Sequence, residues 1–90
     1  MSESFEEFVG HQVVIDTKTP IVYMGTLSSI EGMFLIIKDV DVHDINDTQT
    51  TKDMYILESK KTGIKKNRDR VHLCADQVVS ISRLDDIIQY

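Results

Sequence analysis

The chain has 90 residues, 41% of them hydrophobic and 28% charged, with one proline, four glycines and a formal net charge of −5. That composition fits one ordered globular domain spanning 1–90 and excludes collagen-like, low-complexity and disordered classes. The single cysteine, Cys74, excludes an internal disulfide and a zinc-finger or CxxC site and points to a reducing, cytoplasmic compartment. No apolar run approaches the ~18 residues that cross a bilayer, and the leading MSESFEEFV is acidic where a signal peptide is basic, so no membrane partner is expected.

Ser4 followed three residues later by Glu7 fits a capping box, and Phe5, Phe8 and Val9 share one helical face before Gly10. A short amphipathic helix ending at a glycine is predicted there. The pattern then changes to alternation or continuous β-branched runs at 12–16, 21–30, 33–42, 53–59, 70–74 and 78–84, which read as strands. Turns are expected at 17–20, around Pro20, and at Glu31-Gly32, with a loop from His43 to Lys52. Gly25 lies inside the second strand, where a glycine marks a sharp bend or a close backbone approach. A helix followed by about five short, bent, antiparallel strands suits a small barrel, because so short a chain cannot cover both faces of an open sheet.

Charge is concentrated. Residues 60–70 carry Lys60, Lys61, Lys65, Lys66, Arg68 and Arg70 against Asp69, a net of +5, while the rest of the chain has four basic and fourteen acidic residues, a net of −10. With screening over about 8 Å at physiological salt, an anion beside that segment responds to the segment and not to the total. The alternative is a solvated loop.

The stretch from Gly10 to Asp39, with Tyr23-x-Gly25-x-Leu27 and Met33-Phe34-Leu35, resembles the first motif of the Sm/LSm family, and Val71 to Ile81 resembles the second. The resemblance implies a mainly β fold: a short N-terminal helix capping a five-stranded, strongly bent antiparallel barrel that assembles edge to edge into a homo-oligomeric ring of six or seven. It also implies RNA as a partner. The expected pairing edges are Val71 to Leu73 and Val78 to Leu84. Charges such as Arg70 and Arg83 would instead guard the edges of a monomer.

The sequence departs from the family where the base pocket is built. Glu31 stands near the acidic position, Phe34 falls at the asparagine, and Cys74-Ala75 replaces the Arg-Gly pair. A hydrogen-bonding uridine pocket is therefore not expected. Phe34 is a candidate base platform or a core residue, and Cys74 a packed hydrophobe. The connection from 43 to 70 is enlarged, and its run Met54-Tyr55-Ile56-Leu57 suggests an added strand or hairpin. Within it, Asn67 could add hydrogen bonds and Tyr55 a stacking face. The candidate RNA-binding residues are thus Lys60, Lys61, Lys65, Lys66, Arg68, Arg70 and Phe34, contacting phosphates without reading bases.

Two other classes compete. A ring with a decayed pocket would be a protein-interaction scaffold. Asp39, Asp41 and His43 alternate, so on a continuous strand they share one face and form a weak candidate metal site; surface ion pairs with the lysines explain them equally well. His11 and His72 have no spaced partner and read as edge or surface residues. No catalytic motif is present in the sequence, and no cofactor is expected. The tail from Leu84 to Tyr90 is expected to dock its isoleucines.

Overall fold

The computed structural model describes residues 3–47 and 49–89. Its elements are α1 (Glu3–Glu6), β1 (Gln12–Thr17), β2 (Ile21–Glu31), β3 (Phe34–Asp44), α2 (Lys52–Thr62), β4 (Arg68–Cys74) and β5 (Val78–Arg83), with short 3-10 turns at Ile45–Asp47, Ala75–Gln77 and Leu84–Asp86. The strands form one antiparallel sheet in the order β4-β3-β2-β1-β5. The outer sides of β4 and β5 therefore pair with no strand among the described residues, and these are the two edges that the family resemblance implies.

α1 is a single turn that already includes Ser4, and the chain reaches Gly10, at φ +88, through turns. The Ser4 side chain, and with it the expected capping box, lies outside the described residues. Phe5, Phe8 and Val9 pack as expected onto the main core. β2 and β3 are joined by the two-residue loop Gly32-Met33, whose positive φ falls on Gly32 alone, the pattern of a II′ hairpin.

Three irregularities bend the sheet. Met24 pairs with Asp41 but Thr26 with Lys38, which places one extra residue on β3 at Asp39–Val40. Gly25 lies opposite. A Cβ there would sit 2.9 Å from both Ile37 Cγ2 and the Lys38 carbonyl oxygen, so glycine is required by close approach. Asp39 itself has φ +53. A second bulge puts an extra residue on β2 at Ser28, and a third puts one on β5 at Val79, which is left 66% exposed.

The first bulge also resets which face each side chain occupies. Before it, Leu35 and Ile37 enter the main core with Val13, Ile15, Leu27 and Leu73; after it, Val40 and Val42 do. Asp41 and His43 are thereby carried to the outward face.

A second core lies on that outward face. Val14, Val22 and Met24 are covered by Ile56 and Tyr55 of α2, by Ile64, and by Leu84 and Ile87 of the tail. β1 is buried on both faces, which accounts for its continuous Val13-Val14-Ile15 run. The strand or hairpin expected at Met54-Tyr55-Ile56-Leu57 is instead the middle of α2. Thr51 caps it by accepting from the Met54 N–H at 3.1 Å, Asp53 and the Lys60–Lys61 pair complement its dipole, and Gly63 at φ +97 ends it. Of the tail, Leu84 and Ile87 dock, but Ile88 stays 74% exposed, against expectation.

Candidate nucleic-acid interface

The cationic segment expected as one loop is divided among three elements, and its six cations have different fates. Lys60, in the last turn of α2, donates to the carbonyls of Asp85 at 3.1 Å and Ile87 at 2.5 Å and so fastens the tail to the helix. Lys66, in the linker to β4, bridges Asp69 at 2.9 Å and Asp39 at 3.2 Å. The hydrogen bond to Asp69, then that to Asp39, raises the Lys66 pKa above its ordinary value, and Lys66 lowers that of Asp69. Arg68, at the start of β4, donates to the Asn67 carbonyl at 3.0 Å. Lys61, Lys65 and Arg70 are exposed, and among the described residues none has a side-chain partner. The field of the segment is positive, but its freely presented charges are Lys61, Lys65, Arg70 and the outward end of Arg68.

The carboxylates and imidazole expected on one face are not brought together. Asp39 sits in the bulge, and its carboxylate is held by Lys66. Asp41, 2% exposed, accepts from the Tyr55 hydroxyl at 2.5 Å and from Asn67 Nδ2 at 3.3 Å. His43 lies flat on Tyr55, ring centroids 3.7 Å apart. No three His, Cys, Asp or Glu side chains among the described residues are arranged to hold a metal ion. The cluster is instead a clasp that ties α2 to β3. Burial, then the Asp41 hydrogen bond and charge, pushes the Tyr55 hydroxyl from its ordinary 10.0 up to about 12.

Asn67 completes the clasp. Its side chain accepts from the Val42 N–H and donates to the Val42 carbonyl, both at 3.0 Å, and its backbone N–H donates to Val40 at 2.8 Å. Asn67 and Tyr55, weighed above as contacts for nucleic acid, are therefore committed internally. The linker carrying Lys65 and Lys66 is held against β3 at a fixed height.

The other end of β4 carries the region that the family resemblance marks as a base pocket. Phe34 pairs in register with Cys74, and the Ala75 N–H donates to the Met33 carbonyl at 2.8 Å, joining the β2–β3 hairpin to the β4–β5 turn. Phe34 is exposed, so its expected core role is not what the structure gives it. Its ring is tilted against that of His72, centroids 6.3 Å apart. His72 was not legible as its partner. The β3–β4 register that brings them together joins strands separated by a long connection, and no local signal sets it. Cys74 is partly buried. Six residue steps of about 3.3 Å separate Arg68 from Cys74, so the cationic and aromatic ends of β4 lie roughly 20 Å apart.

No family model and no curated protein matches this chain. Solved structures do. An Sm protein of Pyrococcus abyssii in complex with a uridine heptamer matches with a TM-score of 0.60 at 13% identity, over 91% of this chain and 94% of that one. The SmAP1 heptamer of P. aerophilum matches at 0.60 with 18% identity, over 92% and 90% of the two chains. A heptameric archaeal Sm protein matches at 0.58 with 18% identity, over 90% and 96%. At these identities the likeness is one of fold, and the short helix with five bent antiparallel strands is the Sm fold.

Proposed function

We propose that this chain assembles into a homo-oligomeric ring of six or seven copies and binds RNA mainly through its phosphates. The observation that carries the reading is β4 itself. Among the described residues its outer side lacks a strand partner, and it bears exposed Arg68 and Arg70. β5 supplies the complementary open edge, so joining β4 of one copy to β5 of the next satisfies the backbone groups of both, and closure satisfies all of them. Val79, displaced by the β5 bulge, lies on that edge. The heptamers named for two of the structural neighbours, and the uridine heptamer held by the third, support the same assembly and ligand class.

Within the ring, Lys61, Lys65, Arg68 and Arg70 meet phosphate oxygens, while Lys60 and Lys66, held by their own chain, contribute field. Such contacts bind without reading sequence. Phe34, backed by His72, offers a face on which one base stacks, a contact worth about 1–3 kcal/mol. With phenylalanine at the family's amide position and Cys74-Ala75 at the Arg-Gly position, base selectivity is weak. The activity is binding, not catalysis, in a reducing, cytoplasmic-type compartment.

Light scattering of the purified chain tests the assembly, with six or seven times the 10.3 kDa subunit mass expected. Titration with a labelled oligouridine at several salt concentrations tests the ligand. The Lys65→Ala/Lys66→Ala/Arg68→Ala variant should bind more weakly and flatten the log–log salt slope by about 0.7 for each single-strand phosphate that is no longer neutralised. Unchanged affinity and slope would remove the segment from the interface.

One observation favours a second reading, a ring that serves as a protein scaffold. A cavity of about 390 Å³ lies between α2 and the tail, lined by Met54, Leu57, Ile87 and Ile88 with Asp53 and Asp86. Absence of saturable oligouridine binding at low salt would select this reading.

A further inference from the structure

The outward face of the β3–β4 ladder carries charges that the cationic segment alone does not reveal. Leu35 pairs with Leu73 and Ile37 with Val71, and all four belong to the main core. Strand alternation therefore puts Phe34, Ile36 and Lys38 of β3, with Arg70 and His72 of β4, on the opposite face, while Arg68 stands opposite the core residue Val40 beyond the bulge. Lys38 stands directly opposite Arg70 in register, and both are exposed. Two like charges so placed destabilise a sheet.

Among the described residues no carboxylate relieves them. Asp39 follows Lys38 and Asp69 precedes Arg70, yet both turn to Lys66. Among the described residues neither Lys38 nor Arg70 has an ion pair or a side-chain hydrogen bond. α2 reaches this side of β3 only beyond the bulge, at Asp41 and His43. Side by side and exposed, the two cations form a pair suited to one anion.

We propose that the outward face of β3–β4 is a phosphodiester track. Lys38 and Arg70 clamp one phosphate between them, and His72 leads the strand to the Phe34 platform. Alternate residues on a strand are about 7 Å apart, the scale of one extended nucleotide, so successive outward side chains of β4 step with successive phosphates. The inference rests on the RNA-binding reading and deepens it. It adds Lys38, which lies outside the segment 60–70, and gives the RNA a direction, along β4 from the linker to the aromatic pair.

The test is substitution of Lys38 alone, with Lys65, Lys66 and Arg68 intact, read by thermal melting and by titration with fluorescein-labelled oligouridine. Lys38→Thr, which keeps a residue suited to a strand, should leave the melting temperature of the free protein unchanged or raise it, because a repulsion is removed. It should weaken oligouridine binding about fivefold at low salt and lower the log–log salt slope by about 0.7. Lys38→Arg should restore affinity and slope. If Lys38→Thr binds as the wild type while the Lys65/Lys66/Arg68 triple alanine variant binds weakly, the track is wrong and the RNA-binding reading stands. If neither the wild type nor any variant binds, both fall. If Lys38→Thr loses binding but also melts lower, the lysine is a packing residue and the clamp is overturned.

Discussion

Along β3, the outward polar side chain before the bulge, Lys38, lies open to solvent without a counterion among the described residues, whereas those beyond it lie beneath α2, Asp41 hydrogen-bonded to Tyr55 and Asn67 and His43 stacked on Tyr55 with its Nε2 buried and unpaired among the described residues. The two regions belong to one strand and one face, and they differ in what their polar atoms meet. Past the bulge the Asp41 carboxylate has Tyr55 and Asn67, and the Asn67 amide has both backbone groups of Val42. Before it, the cation faces another cation. Polar groups that find mates inside the chain hold the chain together; exposed cations that do not are set for something outside it.

The strongest way to break this contrast is at Gly25, opposite the bulge that separates the two regions. Gly25→Ala places a Cβ 2.9 Å from the Lys38 carbonyl and Ile37, and should cost about 1–3 kcal/mol as overpacking does, read as a lower midpoint in urea. Tyr55→Phe attacks the closed region alone. It leaves buried Asp41 with Asn67 as its remaining side-chain donor, and should cost about 2 kcal/mol, the scale of a hydrogen bond to a charged group.

The same pair of proteins gives a pH test. The Tyr55 hydroxyl titrates higher in the fold, at about 12, than its ordinary 10.0. Its contribution is therefore complete below pH 10 and disappears as pH rises through 12. The stability gap between wild type and Tyr55→Phe should shrink across that window, measured by denaturant titration at each pH. A constant gap would mean that Tyr55 does not depend on its proton.

The smallest expected effect sharpens the open region. Asp39→Asn removes one of the two carboxylates on exposed Lys66, and an exposed pair of this kind is worth under about 1 kcal/mol. Stability should barely change, while oligouridine affinity at low salt should rise as Lys66 becomes freer to reach phosphate. A fall in affinity would place Asp39 among the groups that shape the interface.

Much of the fold was legible because it depends on local pattern. β-branched runs and alternation place the strands, and Gly25 marks the close approach, while the family resemblance points to β4 and β5 as the edges. α2 was not legible from Met54-Tyr55-Ile56-Leu57, since four consecutive apolar residues have no period. Its signals were the cap at Thr51 and the stop at Gly63. The site was less legible for two physical reasons. Counting charges over 60–70 does not reveal that Lys60 is spent on the tail and Lys66 on Asp39 and Asp69, or that Lys38, distant in sequence, stands beside Arg70. Reading Asp39, Asp41 and His43 as alternating assumes an unbroken pleat, and a bulge is a backbone event that those residues do not announce.

The bulge at Asp39–Val40 also makes chain length matter at one spot. Straighten the bulge without losing a residue and every downstream side chain of β3 changes sides: Val40 and Val42 would leave the barrel, and Asp41 and His43 would enter it; delete the extra residue itself and the pleat runs unbroken with each of them on its present face. A codon removed or added in the irregular stretch between β3 and α2 carries no such penalty. Natural length variation should collect there, and at the kink the tolerated change is loss of the one extra residue.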